Sequence, residues 1–169
     1  MNFLIREAKI TDAYNISTVH VLSWQSAYRD IIPDDYLNNL NIDKRTEIFK
    51  KNFVEYKDKV WYLVAENDGK IIGNLCLCES RDDDKPQAGE VMAIYLLEEF
   101  WDKGYGRKMM SHAVDMLKNK GYNEIIIWVL EENNRARRFY EKCGFLFDGT
   151  KKEIEIGKIL IEIRYVLNP

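Results

Sequence analysis

Apolar positions change period along this chain, and each change marks an element. Phe3-Leu-Ile-Arg-Glu-Ala8 reads as a first strand. Thr11 and Asp12 offer a helix cap, and Ile16, Val19, His20, Ser23 and Trp24 then recur on one helical face that runs on to Tyr28. Pro33 breaks that helix by pushing Ile32 out of the helical region, and Asp34 to Leu40 forms a short helix. Asp43 caps another, with Ile48, Phe49 and Phe53 as its apolar face. Val60 to Glu66 and Ile71 to Glu79 are strands joined by Asn67-Asp-Gly-Lys70, where Asp68 and Gly69 supply the positive-φ positions of a hairpin turn. Arg81-Asp-Asp-Asp-Lys-Pro86 reads as a solvated, charged loop.

The organising stretch is Glu90 to Lys108. Val91, Ala93, Tyr95 and Leu97 alternate with Met92, Ile94 and Leu96, and both sets are apolar, as in a central strand buried on both faces. Glu98 and Glu99 end the run, and a helix follows the turn Lys103-Gly-Tyr-Gly-Arg-Lys108, with Tyr105, Met109, Ala113, Met116 and Leu117 on its inner face. A strand, a glycine turn and a helix start make an anion-binding arrangement. The first-turn N–H groups lack intrahelical partners, the helix dipole favours negative charge, and Gly104 and Gly106 let a phosphate approach the backbone. The dinucleotide fingerprint does not fit, because Met109 stands at its third glycine, and the P-loop pattern is absent.

Beyond Gly121, Glu124 to Leu130 is a second strand apolar on both faces. Asn133 opens a helix through Cys143 that Gly144 ends, and Phe145 to Ile156 and Lys158 to Leu167 are two strands turning near Gly157. The pattern predicts an α/β (α+β) fold in one domain over 1–169, with a mixed sheet and β-α-β-α at its centre.

Composition narrows the class. At 46% hydrophobic and 31% charged, the 169 residues suit a soluble globular domain, and a net charge of −3 argues against nucleic acid as the main partner. No apolar run approaches the roughly 20 residues of a membrane span, and the N-terminus lacks the layout of a signal peptide. Cys76 and Cys78 share one strand face and read as small core residues; with only two histidines and no second cysteine pair, no metal site is expected. These features predict a cytoplasmic protein with reduced thiols.

Two motifs then carry a resemblance. Trp101-Asp-Lys-Gly-Tyr-Gly106 resembles the [QR]-x-x-G-x-[GA] signature of the GCN5-related N-acetyltransferase (GNAT) superfamily, with Trp101 where Gln or Arg is usual. One strand later, Asn133, Ala136, Phe139, Tyr140, Gly144 and Phe145 match every defined position of its N-x-x-A-x-x-F-Y-x-x-x-G-F signature. The resemblance covers residues 60 to 147 and extends more loosely to Ile5-Arg6-x-Ala8 and Trp24…Tyr28…Ile32-Pro33, which look like a bacterial branch acetylating small amines or peptides. It implies a mostly antiparallel twisted sheet flanked by helices, and acetyl-CoA as donor co-substrate. The cofactor-binding residues it implies are the Ile94, Tyr95 and Leu96 backbone, Trp101, Asp102, Lys103, Gly104, Tyr105, Gly106, Arg107 and Lys108, and on the second helix Asn133, Arg135, Ala136, Phe139 and Lys142.

The residues make chemical sense beside the resemblance. Ala136, Phe139, Tyr140 and Cys143 form one stripe of the helix, while Arg135, Arg138 and Lys142 form a basic one that suits phosphates. By resemblance, Tyr140 lies near the sulfur of acetyl-CoA; a phenol of pKa about 10 can donate to a thiolate of pKa about 8.5. A primary amine of pKa about 10.4 is almost wholly protonated at pH 7 and must lose a proton to attack. Glu90, at the offset from the glycine loop used by the base glutamate of the histone-acetylating branch, is the expected base. Trp24 and Tyr28 are the expected substrate contacts, with Asp82 to Asp84 suited to a cationic amine, and His20 and His112 read as ordinary helix residues. Cys143 does not fit a nucleophile, so the expected route is direct attack in a ternary complex. A polyamine or other small amine is the first expected acceptor, a protein N-terminus or lysine the second, with a homodimer carried over from relatives. A non-catalytic acyl-CoA-binding module is the competing class; Glu90 and Tyr140 weigh against it.

Overall fold

The computed structural model describes residues 2–169. Its strands are β1 (Phe3–Glu7), β2 (Val60–Asn67), β3 (Lys70–Glu79), β4 (Gly89–Leu96), β5 (Ile125–Leu130), β6 (Leu146–Glu155) and β7 (Ile159–Leu167). Its α-helices are α1 (Ala13–Ala27), α2 (Asp34–Asn38), α3 (Ile42–Glu55), α4 (Tyr105–Asn119) and α5 (Asn134–Lys142). The seven strands form one sheet in the order β1-β2-β3-β4-β5-β7-β6. Every neighbouring pair is antiparallel except β4 and β5. This is the mixed sheet that the periodicities predict, mostly antiparallel and flanked by helices as the resemblance implies. No helix among the described residues is long and apolar enough to cross a membrane.

The two faces of the sheet are covered differently. On one, Leu75, Leu77, Val91, Ile125, Ile127, Val129, Ile163 and Tyr165 bury against Met109, Met110, Ala113 and Leu117 of α4 and Tyr140 of α5. On the other, Val64 and Ile71 meet Ala13, Ile16 and Val19 of α1 and Phe49 of α3. Farther along that second face, Leu130 and Leu160 meet Ile32, Leu37, Trp24 and Tyr28, so the segment after α1 roofs the end of β5 and β7. Gly73 allows β3, β4 and α4 to meet: a Cβ there would lie 2.8 Å from the Tyr95 carbonyl oxygen and 2.9 Å from Met109.

Three local expectations change. Asp12 does not cap α1, because its carboxylate is taken by Arg6 at 2.7 Å and the Lys9 N–H at 2.7 Å. Asn41, not Asp43, caps α3 by accepting the Lys44 N–H at 2.9 Å. The loop after β3 is tied down rather than freely solvated. Arg164, whose side chain is 3% exposed, donates to Asp82 (2.9 Å), Asp84 (2.6 and 2.7 Å) and Asp148 (2.8 Å), and also to the Thr150 hydroxyl. Asp82 also accepts the Trp128 indole N–H at 3.0 Å. One buried guanidinium thus fixes the β3–β4 loop against β7 and β6.

Candidate active site

Strands β4 and β5 pair only through Gly89–Ile125 and Glu90–Ile126, and then part. Beside the parting, β4 carries a bulge. Cys76 faces Ala93 and Leu77 faces Val91, so Met92 is an extra residue that shifts the alternation of the strand. A cleft of about 520 Å³ opens there, walled by Met92, Ala93, Ile94, Tyr95 and Leu96 of β4 and by Ile127 and Trp128 of β5.

One end of the cleft is built for an anion. Gly104, in the left-handed region at φ 84°, starts α4 without a side-chain cap, so the first-turn amides have no intrahelical acceptor. Gly106 lies close to α5: a Cβ there would touch the Phe139 ring at 3.5 Å. Trp101, Asp102, Gly104, Gly106, Arg107, Arg135, Arg138 and Lys142 all line this end. Trp101 donates its indole N–H to the Leu96 carbonyl at 2.8 Å, and the Arg135 guanidinium lies 4.2 Å over its ring while bonding Asp102 at 2.9 Å. The bulky residue at the position usual for Gln or Arg therefore packs on the strand end and braces a cation. Arg107 donates to the Lys142 carbonyl at 3.3 Å, joining the start of α4 to the end of α5. A phosphate-bearing group with a slender arm fits these residues: amides and guanidinium groups at the mouth, then Ile94, Leu96, Ala136 and Phe139 inward.

Three residues of the expected glycine-loop set point elsewhere. Lys103 donates to the Glu99 carbonyl at 2.7 Å, the Tyr105 hydroxyl to Asn67 at 3.2 Å, and the Lys108 ammonium lies 5.4 Å over the Phe3 ring. The turn of the helix directs positions 105 and 108 toward β1 and the β2–β3 hairpin rather than into the cleft.

At the inner end, Asn133 caps α5 by accepting the Ala136 N–H at 3.1 Å and lines the cleft. Tyr140 lines it too, 7% exposed, with Phe139, Phe145 and Tyr165 around its ring. Burial pushes its phenol well above the ordinary value of 10, so the group keeps its proton at neutral pH.

On the other side of the sheet plane, Ser23, Ala27 and Tyr28 from the end of α1 close the cleft. Trp24 does not line it. Trp24 instead stacks on His20 and meets Tyr28 edge-on, each with ring centroids 5.0 Å apart, so it buttresses the aromatic wall. His20 meets Tyr95 edge-on, and burial drives its imidazole down to about 3, leaving it neutral. Burial likewise pushes Tyr95 up to about 12 and Tyr28 well above 10.

Glu90 is placed differently from the expectation. It is 1% exposed and does not line the cleft. Arg81 takes both its oxygens, Nη2 at 2.5 Å and Nε at 3.1 Å, and the Arg81 backbone N–H adds a third bond at 3.2 Å. Its place in the sequence marked the strand, but not the arginine that the next loop brings over it. Among the residues that sequence reasoning missed are Ser23, Ala27, Met92, Ala93, Ile127 and Trp128. The bulge that turns Met92 inward has no sequence signature here. Trp128, a bulky amphipathic residue in an aliphatic strand, was the available signal.

Known proteins share this sequence and shape. The sequence model of the Acetyltransferase (GNAT) family matches residues 24–145. The uncharacterized N-acetyltransferase YuaI of Bacillus subtilis is 34% identical over 129 residues, which are 76% of this chain and 72% of that protein. Spermidine N(1)-acetyltransferase of Thermoplasma acidophilum is 25% identical over 153 residues, 89% of this chain and 92% of the relative. Among solved structures, the PaiA N-acetyltransferase of Thermoplasma acidophilum in complex with coenzyme A matches with a TM-score of 0.77 at 24% identity, covering 96% of this chain and 98% of that one. YncA of Salmonella typhimurium, a putative acetyltransferase with its cofactor acetyl-CoA, matches with a TM-score of 0.72 at 18% identity, covering 99% and 94%.

Proposed function

Because the chain belongs to the GNAT acetyltransferase family, we propose that it is an acetyl-CoA-dependent N-acetyltransferase whose acceptor is a small cationic primary amine of the polyamine class. One observation carries the reading: a single cleft joins a helix start able to cradle phosphates with a buried, protonated phenol at its inner end. Arg135, Arg138, Arg107 and Lys142 supply positive charge to the pyrophosphate end, and Ile94, Leu96, Ala136 and Phe139 an apolar wall for the arm. Bound acetyl-CoA supplies an acetyl group activated as a thioester. The backbone N–H groups between Ile94 and Leu96, beside the parting strands, are the donors for the acetyl oxygen as charge develops on it. Tyr140 is the proton donor to the departing thiolate; burial keeps its phenol protonated before the transfer.

The acceptor side supports an amine. Tyr28, Tyr95 and Trp128 line the cleft as aromatic walls that favour a cation, Trp128 already with the Lys152 ammonium on its ring. Asp82 and Asp84 are engaged by Arg164 and do not line the cleft, so they are not direct contacts of the acceptor. The spermidine-acetylating relative weighs toward polyamines over peptide amines.

Thiol release from acetyl-CoA, followed with spermidine, putrescine, amino acids and short N-terminal peptides, tests this reading. Turnover at micromolar to millimolar polyamine, with far slower release for peptides, is the expected result. Release only with peptides would move the acceptor to protein amines. Acetyl-CoA binding by calorimetry with no release for any amine would make the chain a binding module.

The reading includes a homodimer formed through the outer β6 edge of the sheet, where Leu146 (72% exposed) and Phe147 are bare. A mass of 40 kDa, twice that of the 20.0 kDa chain, is expected in light scattering; a single 20.0 kDa species at assay concentration would exclude the dimer.

A further inference from the structure

The reaction needs a group to take the proton of the acceptor ammonium, and Glu90 is sealed beneath Arg81. We propose that Glu162 of β7 is that proton acceptor, with Tyr28 and Trp128 guiding the amine in front of it. This inference rests on the acetyltransferase reading above.

Placement carries the argument. Glu162 faces Leu130 across the β5–β7 pair, and Leu160, two residues earlier on the same face, packs beside Leu130. Both leucines bury against Tyr28, which lines the cleft. Two positions back along β5, Trp128 pairs with Arg164, and Trp128 also lines the cleft. Glu162 is not itself among the residues that line the cleft; it stands behind Tyr28 and Trp128 on the same sheet face, so the proton reaches it through one bridging water.

Its ion pairing is loose where that of its neighbours is tight. Asp82, Asp84 and Asp148 are bonded to Arg164 at 2.6–2.9 Å, and Glu90 to Arg81 at 2.5 Å. Glu162 has Lys152 at 3.6 Å, and the Lys152 ammonium is shared with the Trp128 ring, 3.7 Å from its centroid. The Glu162 side chain is 21% exposed, enough to pass a proton to solvent.

The groups facing it come from every side. Lys152 of β6 and Arg81 of the β3–β4 loop favour its charged form; Glu90 of β4 opposes it. Tyr28 and Tyr95 stand near it as neutral phenols, and Arg164, two residues along β7, is spent on three aspartates. Burial is the largest influence and raises its carboxyl above the ordinary 4.5 despite Lys152. A carboxylate shifted this way is a better base than a solvated one.

The protons balance. Glu162 takes one proton from the ammonium through the bridging water. The freed lone pair forms the C–N bond to the acetyl carbon while the C–S bond breaks, and the thiolate receives the Tyr140 proton. The nitrogen's surplus proton restores the phenol, and Glu162 releases its own to water at the rim. The net products are the amide, the free thiol and one proton.

The test is Glu162→Gln in the full chain, with spermidine as the probe amine and thiol release as the readout across pH. In the unaltered protein kcat should fall as the pH drops through a value above 4.5. Glu162→Gln should lower kcat by at least about 10²-fold, erase that limb and leave the KM for acetyl-CoA unchanged. Lys152→Met, which removes the cation that favours the charged form, should move the limb to higher pH. A raised spermidine KM with kcat and limb intact would overturn the proposal, making Glu162 an anchor for charge. An unchanged pH profile in both variants would also overturn it. If the unaltered protein releases no thiol with any amine, the parent reading fails and this inference with it; if it turns over and both variants match it, the parent reading stands and this inference alone fails.

Discussion

Replacing Arg164 with methionine should cost about 3 kcal/mol of stability, seen as a fall in the urea midpoint and a drop in melting temperature of roughly 6–12 °C for a chain of this size. The guanidinium is 3% exposed and is the common partner of Asp82, Asp84 and Asp148. Methionine would fill much of its volume but strand the Asp82 and Asp148 side chains, 16% and 20% exposed, without their cation. The loss should depend on pH. Arg164 is the main cause holding Asp84 below its usual 3.8; burial raises Asp148, but bonds from Thr150 and Arg164 bring it below that value as well. A depressed carboxylate contributes stability that is in place above the unfolded value and is lost as pH falls through the folded one. The unaltered protein and the methionine variant should therefore differ most at neutral pH and converge below about pH 4. An equal gap at pH 3 and pH 7 would show that the cluster is packing and not charge.

Tyr140→Phe should lower kcat by about 10²–10³-fold while leaving the dissociation constant of acetyl-CoA nearly unchanged. The ring keeps its contacts with Phe139, Phe145 and Tyr165, so only the hydroxyl is lost from the cleft. The phenol is held above 10 by burial, so the unaltered enzyme should show no alkaline loss from this group below pH 10. Matched kinetics and calorimetry separate the outcomes. Equal losses in turnover and binding would make Tyr140 structural, and unchanged turnover would remove it from the proton path.

Sequence alone exposed whatever is periodic or local. The strand and helix order, the hairpin turn at Asp68-Gly69, the Asn133 cap and the glycine start of α4 all follow from neighbours within a few residues. Long-range partnership was hidden. Nothing in the spacing of Glu90 announces that Arg81 folds back over it, and nothing in Asp82-Asp-Asp84 names Arg164, some 80 residues on. Trp24 illustrates the same limit: its helical face was legible, but which member of the Trp24–Tyr28 pair reaches the cleft depends on His20 and Tyr95 behind it. The bulge at Met92 reversed the facing of half a strand, and alternation cannot reveal an extra residue when both faces are apolar.

The parting of β4 from β5 gives the sheet four edges instead of two. Of the outer ones, β1 is five residues long, and the later half of β6 carries Lys151, Lys152, Glu153 and Glu155, leaving Leu146 and Phe147 as its apolar end. The inner ones, Met92 to Leu96 and Ile127 to Leu130, hold no charge at all, and bare apolar edges of this kind invite other strands to add to them. Here residues of both helices, Gly104 and Gly106 at the start of α4 and Ala136 and Phe139 of α5, line the cleft beside these edges, so helix rather than charge covers the side on which another strand would add.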